Sequence, residues 1–153
     1  MQGDVSKARS VVDDMKKLGL QPNRVTFNEL LNQAVAKSSR RSDVWDIIKE
    51  MKNAELPPNQ VTCSILLKSL NAKSSETDIL LTMDLIEALE EPMDEVLLSS
   101  VVEACVRIGK PDLLVKKLQQ LESSQRLVAN SSHTCGSLIK AYGHAKEASI
   151  LTL

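Results

Sequence analysis

Cys63, Cys105 and Cys135, the side chains best suited to metal ligation or nucleophilic attack, stand 42 and 30 residues apart. They lack the close pairing of a zinc site and the density of a disulfide scaffold, so they read as small buried hydrophobes in a reducing compartment. His133 and Cys135 are two residues apart, but no second close pair completes a metal site. Asp13-Asp14 and Glu90-Glu91 lie among other charges at helix flanks and imply no acid–base pair in a pocket. There is no phosphate-cradling glycine loop, nucleophile elbow, His-Glu metal motif or deaminase pattern. The expectation is a protein without catalytic residues, metal or cofactor.

The rest of the composition narrows the class. Of 153 residues, 42% are hydrophobic, 25% charged and 2% aromatic, which suits a folded domain and neither a disordered tail nor a membrane protein. No apolar run approaches the roughly 18 residues of a membrane-spanning helix, so no membrane insertion is expected. Nineteen basic against twenty acidic residues leave a net charge of -1. A bulk electrostatic grip on nucleic acid or anionic lipid is thereby excluded, and any such binding must use local geometry. The opening Met1-Gln2-Gly3-Asp4 has neither a secretory apolar core nor a transit-peptide face. A targeting segment, if the natural protein has one, is expected outside this sequence.

The elements that position these residues repeat. Val25-Thr26-Phe27-Asn28-Glu29-Leu30-Leu31 returns 36 residues later as Val61-Thr62-Cys63-Ser64-Ile65-Leu66-Leu67. Looser copies begin at Val96 and His133, 35 and 37 residues further on. A second half-pattern keeps the same phase: Met15-Lys16 and Pro22-Asn23 recur as Met51-Lys52 and Pro58-Asn59. Ala8, Val11, Val12, Met15 and Leu18, and likewise Val44, Ile47, Ile48 and Met51, fall at three- and four-residue spacing, one face of an amphipathic helix.

Each unit therefore reads as helix, turn, helix, turn. First helices are expected near 25–37, 60–73, 95–108 and 132–144, and second helices near 4–18, 42–54, 76–90 and 111–124. No alternating stretch is long enough for a strand. Gly19 offers a left-handed helix end, Pro22, Pro58 and Pro92 punctuate the turns, and Pro111 suits a first helical position. One hairpin cannot bury its apolar face alone, so the units must stack. The expected fold is all-α, an alpha-alpha superhelix or solenoid of helix-turn-helix repeats of about 35 residues. Its divisions are a partial repeat 1–23, repeats 24–59, 60–94 and 95–131, and a partial repeat 132–153, together a piece of a longer array.

On this frame, Asn23, Asn59 and Asp94 fall just before helices, where they can cap backbone N–H groups. Lys37, Lys73 and Arg107 recur near first-helix ends, followed by His144 and Lys146. They can contact phosphates or complement the helix dipole, and both readings stand. Arg40 and Arg41 read as solvated loop charges, and Met15, Met51, Met83 and Met93 as packing.

One Trp, one Tyr and one Phe leave the aromatic slots of a tetratricopeptide repeat empty. The string Val25 to Leu31, running on to Met51-Lys52-Asn53-Ala54-Glu55-Leu56-Pro57-Pro58-Asn59, instead resembles the pentatricopeptide repeat. The likeness covers nearly the whole chain, strongest in the first two units and weakest in the last. It implies non-catalytic, sequence-selective binding of single-stranded RNA in a mitochondrion or plastid, acting in RNA processing, stability or translation, with one base read per repeat. The family pattern implies base-reading pairs Asn28 with Asn59, Ser64 with Asp94, and Ser99 with Ser131, with Asn23 closing the first partial unit and Gly136 opening the last. By that pattern Asn/Asn favours a pyrimidine, Ser/Asp resembles a guanine reader and Ser/Ser leans to a purine. Val25, Val61 and Val96 would sandwich the bases, and His133 breaks the run. Short polar side chains suit the task because they reach a base edge at little entropic cost.

A helical solenoid also presents a long surface to proteins, so the competing expectation is an interaction scaffold or structural subunit of a large organellar assembly such as a ribosome. Polar, mildly positive first-helix faces would favour RNA; an apolar or acidic patch would favour the scaffold.

Overall fold

A proline followed within two residues by Asn or Asp precedes three helices of the computed structural model, which describes residues 4–37 and 40–110 and the single residues 112, 113, 116, 119, 120, 136, 139 and 143. Proline disfavours helical geometry in the residue before it, and the next Asn or Asp side chain then caps the following helix. Asn23 Oδ1 accepts from the Thr26 N–H at 3.0 Å, Asn59 Oδ1 from the Thr62 N–H at 3.1 Å, and Asp94 Oδ1 from the Leu97 N–H at 2.8 Å.

The chain divides into two compact units, Met1–Ser69 and Leu70–Leu153. The first holds α1 (Asp4–Lys17), α2 (Arg24–Ala36), α3 (Arg41–Asn53) and α4 (Gln60–Ser69). Here α2 packs against α1, against its hairpin partner α3 and against α4, the first helix of the next hairpin. The direct seating of α4 on α2 is the stacking that a lone hairpin needs to bury its apolar face. Phe27, Leu30, Leu31 and Ala34 of α2 are buried, as are Val44, Ile47, Ile48 and Met51 of α3, all at helical spacing.

The equivalent stripe on α1 is only partly covered. Val12 is buried, whereas Val11 and Leu18 are 60% and 77% exposed. α1 lies against α2 and touches α3 through the Arg9–Glu50 ion pair at 2.7 Å. One packed neighbour covers less than the full apolar face that the spacing predicts.

The second unit holds α5 (Glu76–Glu87), capped by Ser75, and α6 (Glu95–Ile108), capped by Asp94. Ile79, Met83 and Ile86 form the buried stripe of α5; Leu97, Leu98, Val101, Val102, Cys105 and Ile108 form that of α6. Gly109, at φ 69°, closes α6 with the Lys110 N–H donating to the Cys105 carbonyl at 3.1 Å.

Among the described residues there are six helices and no strand, so the fold is all-α and built of helical hairpins. Two helices stop early. α4 ends at Ser69 rather than 73 because Asn71 takes over the backbone: its side chain accepts from the Lys73 N–H, and its own N–H donates to the Ser74 hydroxyl. α5 ends at Glu87 rather than 90, where a three-residue turn, the Leu89 N–H donating to the Ile86 carbonyl at 3.3 Å, closes the helix. The helices expected at 111–124 and 132–144 fall largely outside the described residues, as do Pro111, Ser131, His133, Cys135, His144 and Lys146.

Candidate nucleic-acid interface

Capping brings the first candidate pair together. With Asn59 Oδ1 held by the Thr62 N–H, Asn28 Nδ2 on α2 donates to that same oxygen at 3.4 Å. The Thr62 hydroxyl lies 2.7 Å from Asn28 Oδ1 and 2.9 Å from Asn59 Oδ1, and it accepts from the Asn59 N–H at 3.1 Å. Asn28, Asn59 and Thr62 thus form one hydrogen-bonded cluster joining α2, the turn after α3 and α4. Asn28 is 9% exposed and Thr62 is fully buried. The spacing pattern treats Asn28 as a side chain on a solvated face; the structure recesses it, because α4 seats directly on α2.

Exposed valines recur at the starts of the first helices. Val25, Val61 and Val96 are each the second residue of a first helix, and each is exposed, by 73%, 54% and 67%. Three residues on, one turn along the same helix face, come Asn28, Ser64 and Ser99. Ser64 is buried and its hydroxyl makes no hydrogen bond among the described residues, while Ser99 is half-buried. An exposed apolar side chain next to a short polar one can offer a flat base both a stacking contact and an edge contact.

Asn23, Asn59 and Asp94 all cap helices, as their positions suggest. Capping uses the oxygen of Asn59 and leaves its amide Nδ2 with no partner among the described residues.

The three candidate phosphate contacts differ. Lys37, the C-cap of α2, and Lys73, in the turn after α4, are exposed. Lys73 lies beyond the last turn of α4, where Lys68 stands instead. Arg107 donates to the Leu70 carbonyl at 2.9 Å, so part of its guanidinium is already engaged with backbone. Arg41, read as a solvated loop charge, belongs to α3, where it donates to the Ser69 hydroxyl and lies 5.9 Å over the Trp45 ring.

Other chemistry is sparse. Cys63 is buried, and burial pushes its thiol from 9.0 up to about 12; Cys105 is buried as well, and neither is in a disulfide. Among the described residues no three His, Cys, Asp or Glu gather as metal ligands, and no helix is long and apolar enough to cross a membrane. A cleft of about 540 Å³ is lined by Lys16, Phe27, Glu50, Asn53 and neighbours; its one carboxylate, Glu50, is held by Arg9.

Two residues escape a reading by position alone. Thr62 recurs visibly with Thr26, but its link to Asn28 crosses 34 residues and emerges only when α4 seats on α2. Glu55 adopts a left-handed conformation, φ 58°, with no glycine to signal it.

Capped helical hairpins seated first helix on first helix define a helical-repeat protein. A family model described as a pentatricopeptide repeat domain matches residues 1–37 and 10–72 of the chain. Repeats of this family are helical hairpins that generally bind RNA and are generally non-catalytic, and its proteins are typically organellar. No curated protein matches the chain.

Proposed function

We propose that this chain binds single-stranded RNA without catalysing a reaction, selecting bases with short polar side chains of successive repeats, in the RNA processing, stability or translation of a mitochondrion or plastid. The observation that carries this reading is the Asn28–Asn59 pair, hydrogen-bonded at 3.4 Å and standing one turn from the exposed Val25. Val61, exposed at the equivalent place on α4, supplies the apolar contact of the next unit. By the family pattern Ser64 with Asp94 and Ser99 with Ser131 serve further bases, Asn23 serves the partial first unit, and Val96 stacks; Ser131 lies outside the described residues.

Charge supports the reading in part. The first helices of the first unit carry Arg24 and Lys68 against Glu29, with Lys37 at the end of α2. α6 instead carries Glu95 and Glu103 against Arg107. That acidic balance favours a second reading, a scaffold for a protein partner.

Selection from a pool of random single-stranded RNA tests the two. RNA reading predicts an enriched motif in which Asn28→Ala and Asp94→Ala each erase preference at one of two neighbouring nucleotides. No RNA retained at low salt would favour the scaffold.

A further inference from the structure

Thr62 has one hydroxyl proton and two amide oxygens within reach, Asn28 Oδ1 at 2.7 Å and Asn59 Oδ1 at 2.9 Å. Asn59 Oδ1 already accepts from the Thr62 backbone N–H and from Asn28 Nδ2, whereas Asn28 Oδ1 has no other donor. The shorter contact, buried, takes the proton. The amide of Asn28 then has one favourable orientation. Turned over, its oxygen would face Asn59 Oδ1, and two acceptors would meet without a proton between them.

We infer that Thr62, a residue of the following repeat, is a positioning residue for the base-reading pair Asn28/Asn59: its hydroxyl and backbone N–H turn both amide oxygens inward, so that the pair offers a base only N–H donors. This rests on the proposed RNA-reading role of the pair. The outward groups are the Asn59 Nδ2 hydrogens and the second hydrogen of Asn28 Nδ2, and they match acceptor atoms on a base edge. Without the hydroxyl, Asn28 Oδ1 loses its donor in a buried place, and the amide is free to present oxygen or nitrogen.

Thr26 occupies the equivalent place at the start of α2, where its hydroxyl donates to the cap residue Asn23 at 3.1 Å, as the Thr62 hydroxyl also lies 2.9 Å from Asn59 Oδ1. One unit later the place is held by Leu97, which has no hydroxyl to give.

The test is an RNA selection with the full chain and with Thr62→Val, Thr62→Ala and Thr62→Ser, each variant melted to set a temperature at which it is folded. The nucleotide read by the pair is the one whose preference disappears in Asn28→Ala. Thr62→Val, or Thr62→Ala where the valine variant does not fold, should lower the ratio of preferred to next-best base at that nucleotide roughly fivefold or more. Preference at the other nucleotides should stand, and Thr62→Ser, which keeps the hydroxyl, should restore the ratio. Preference retained by the hydroxyl-free variants, or lost evenly at every nucleotide, would overturn the positioning role while leaving the RNA-reading role intact. A wild-type chain with no base preference anywhere would overturn both.

Discussion

Glu55 stands 36 residues after Gly19 and repeats its left-handed backbone, at φ 58° against φ 76°. The hydrogen bonds match as well. The Leu20 N–H donates to the Met15 carbonyl at 2.9 Å and the Leu56 N–H to the Met51 carbonyl at 3.0 Å, each closing a helix with a Met-Lys step in its last turn. Glycine adopts this conformation freely, and a side chain with a Cβ does not. Glu55→Gly should therefore stabilise the fold by about 1 kcal/mol, relief of strain outweighing the added freedom of the unfolded chain. Gly19→Ala should cost about 1 kcal/mol although a Cβ at Gly19 meets nothing within 4 Å, because the penalty is in the backbone. Urea unfolding midpoints of the two variants should move in opposite directions.

The Cys63 thiol, raised by burial to about 12, should resist maleimide or iodoacetamide in the folded state and react once urea exposes it. The same shift sets a pH dependence. The folded chain keeps a proton that the unfolded chain releases near its ordinary 9.0. Stability from this group is full below pH 9 and falls as pH rises from there toward 12, by about 1.4 kcal/mol per pH unit. Cys63→Ala should remove that extra fall, measured as the difference in urea midpoints between pH 8 and pH 10. An equal alkaline loss in the variant would place its origin elsewhere.

What the sequence discloses here depends on range. Pro22-Asn23 and Pro58-Asn59 mark helix starts because a proline and a cap act within four residues, and the observed helices begin at Arg24 and Gln60. Val44, Ile47, Ile48 and Met51 reveal a buried face because helical spacing is local too. The end of α4 is less legible, since Asn71 diverts the backbone through side-chain bonds that compete with an otherwise acceptable helical sequence. Glu55 is hidden because the turn geometry overrides residue preference. Asn28 is placed by pattern in the right helix position, but its burial and its bond to Thr62 come from packing between elements 34 residues apart. Periodicity carries the frame, and only the seating of α4 on α2 carries the pair's orientation.

Lys37 and Lys73 are exposed, and Arg107 already donates to the Leu70 carbonyl, so three residues alike in charge should behave differently. In RNA binding, Lys37→Gln and Lys73→Gln should each lower the slope of log affinity against log salt by about 0.7, the loss of one phosphate contact on a single strand. Arg107→Gln should lower the melting temperature instead, because the Leu70 carbonyl loses a charged donor. A salt titration paired with a thermal melt separates the two effects. Unchanged salt slopes for both lysines would remove them from the interface.

Asp94 can be a cap, a base reader or both, and two substitutions divide these roles. Its Oδ1 accepts from the Leu97 N–H at 2.8 Å at the start of α6. Asp94→Ala removes the cap and should cost about 1 kcal/mol of stability whether or not RNA is bound. Asp94→Asn keeps a capping oxygen of nearly the same shape and should cost little, since Asn and Asp cap about equally well. It also replaces an acceptor-only carboxylate with an amide that has both donor and acceptor. A base-reading Asp94 should therefore change its preferred nucleotide in Asp94→Asn while the melting temperature stays near that of the parent. Should the selected RNA motif be identical in the parent and Asp94→Asn, the residue is a cap alone, and the guanine preference assigned to its repeat falls with it.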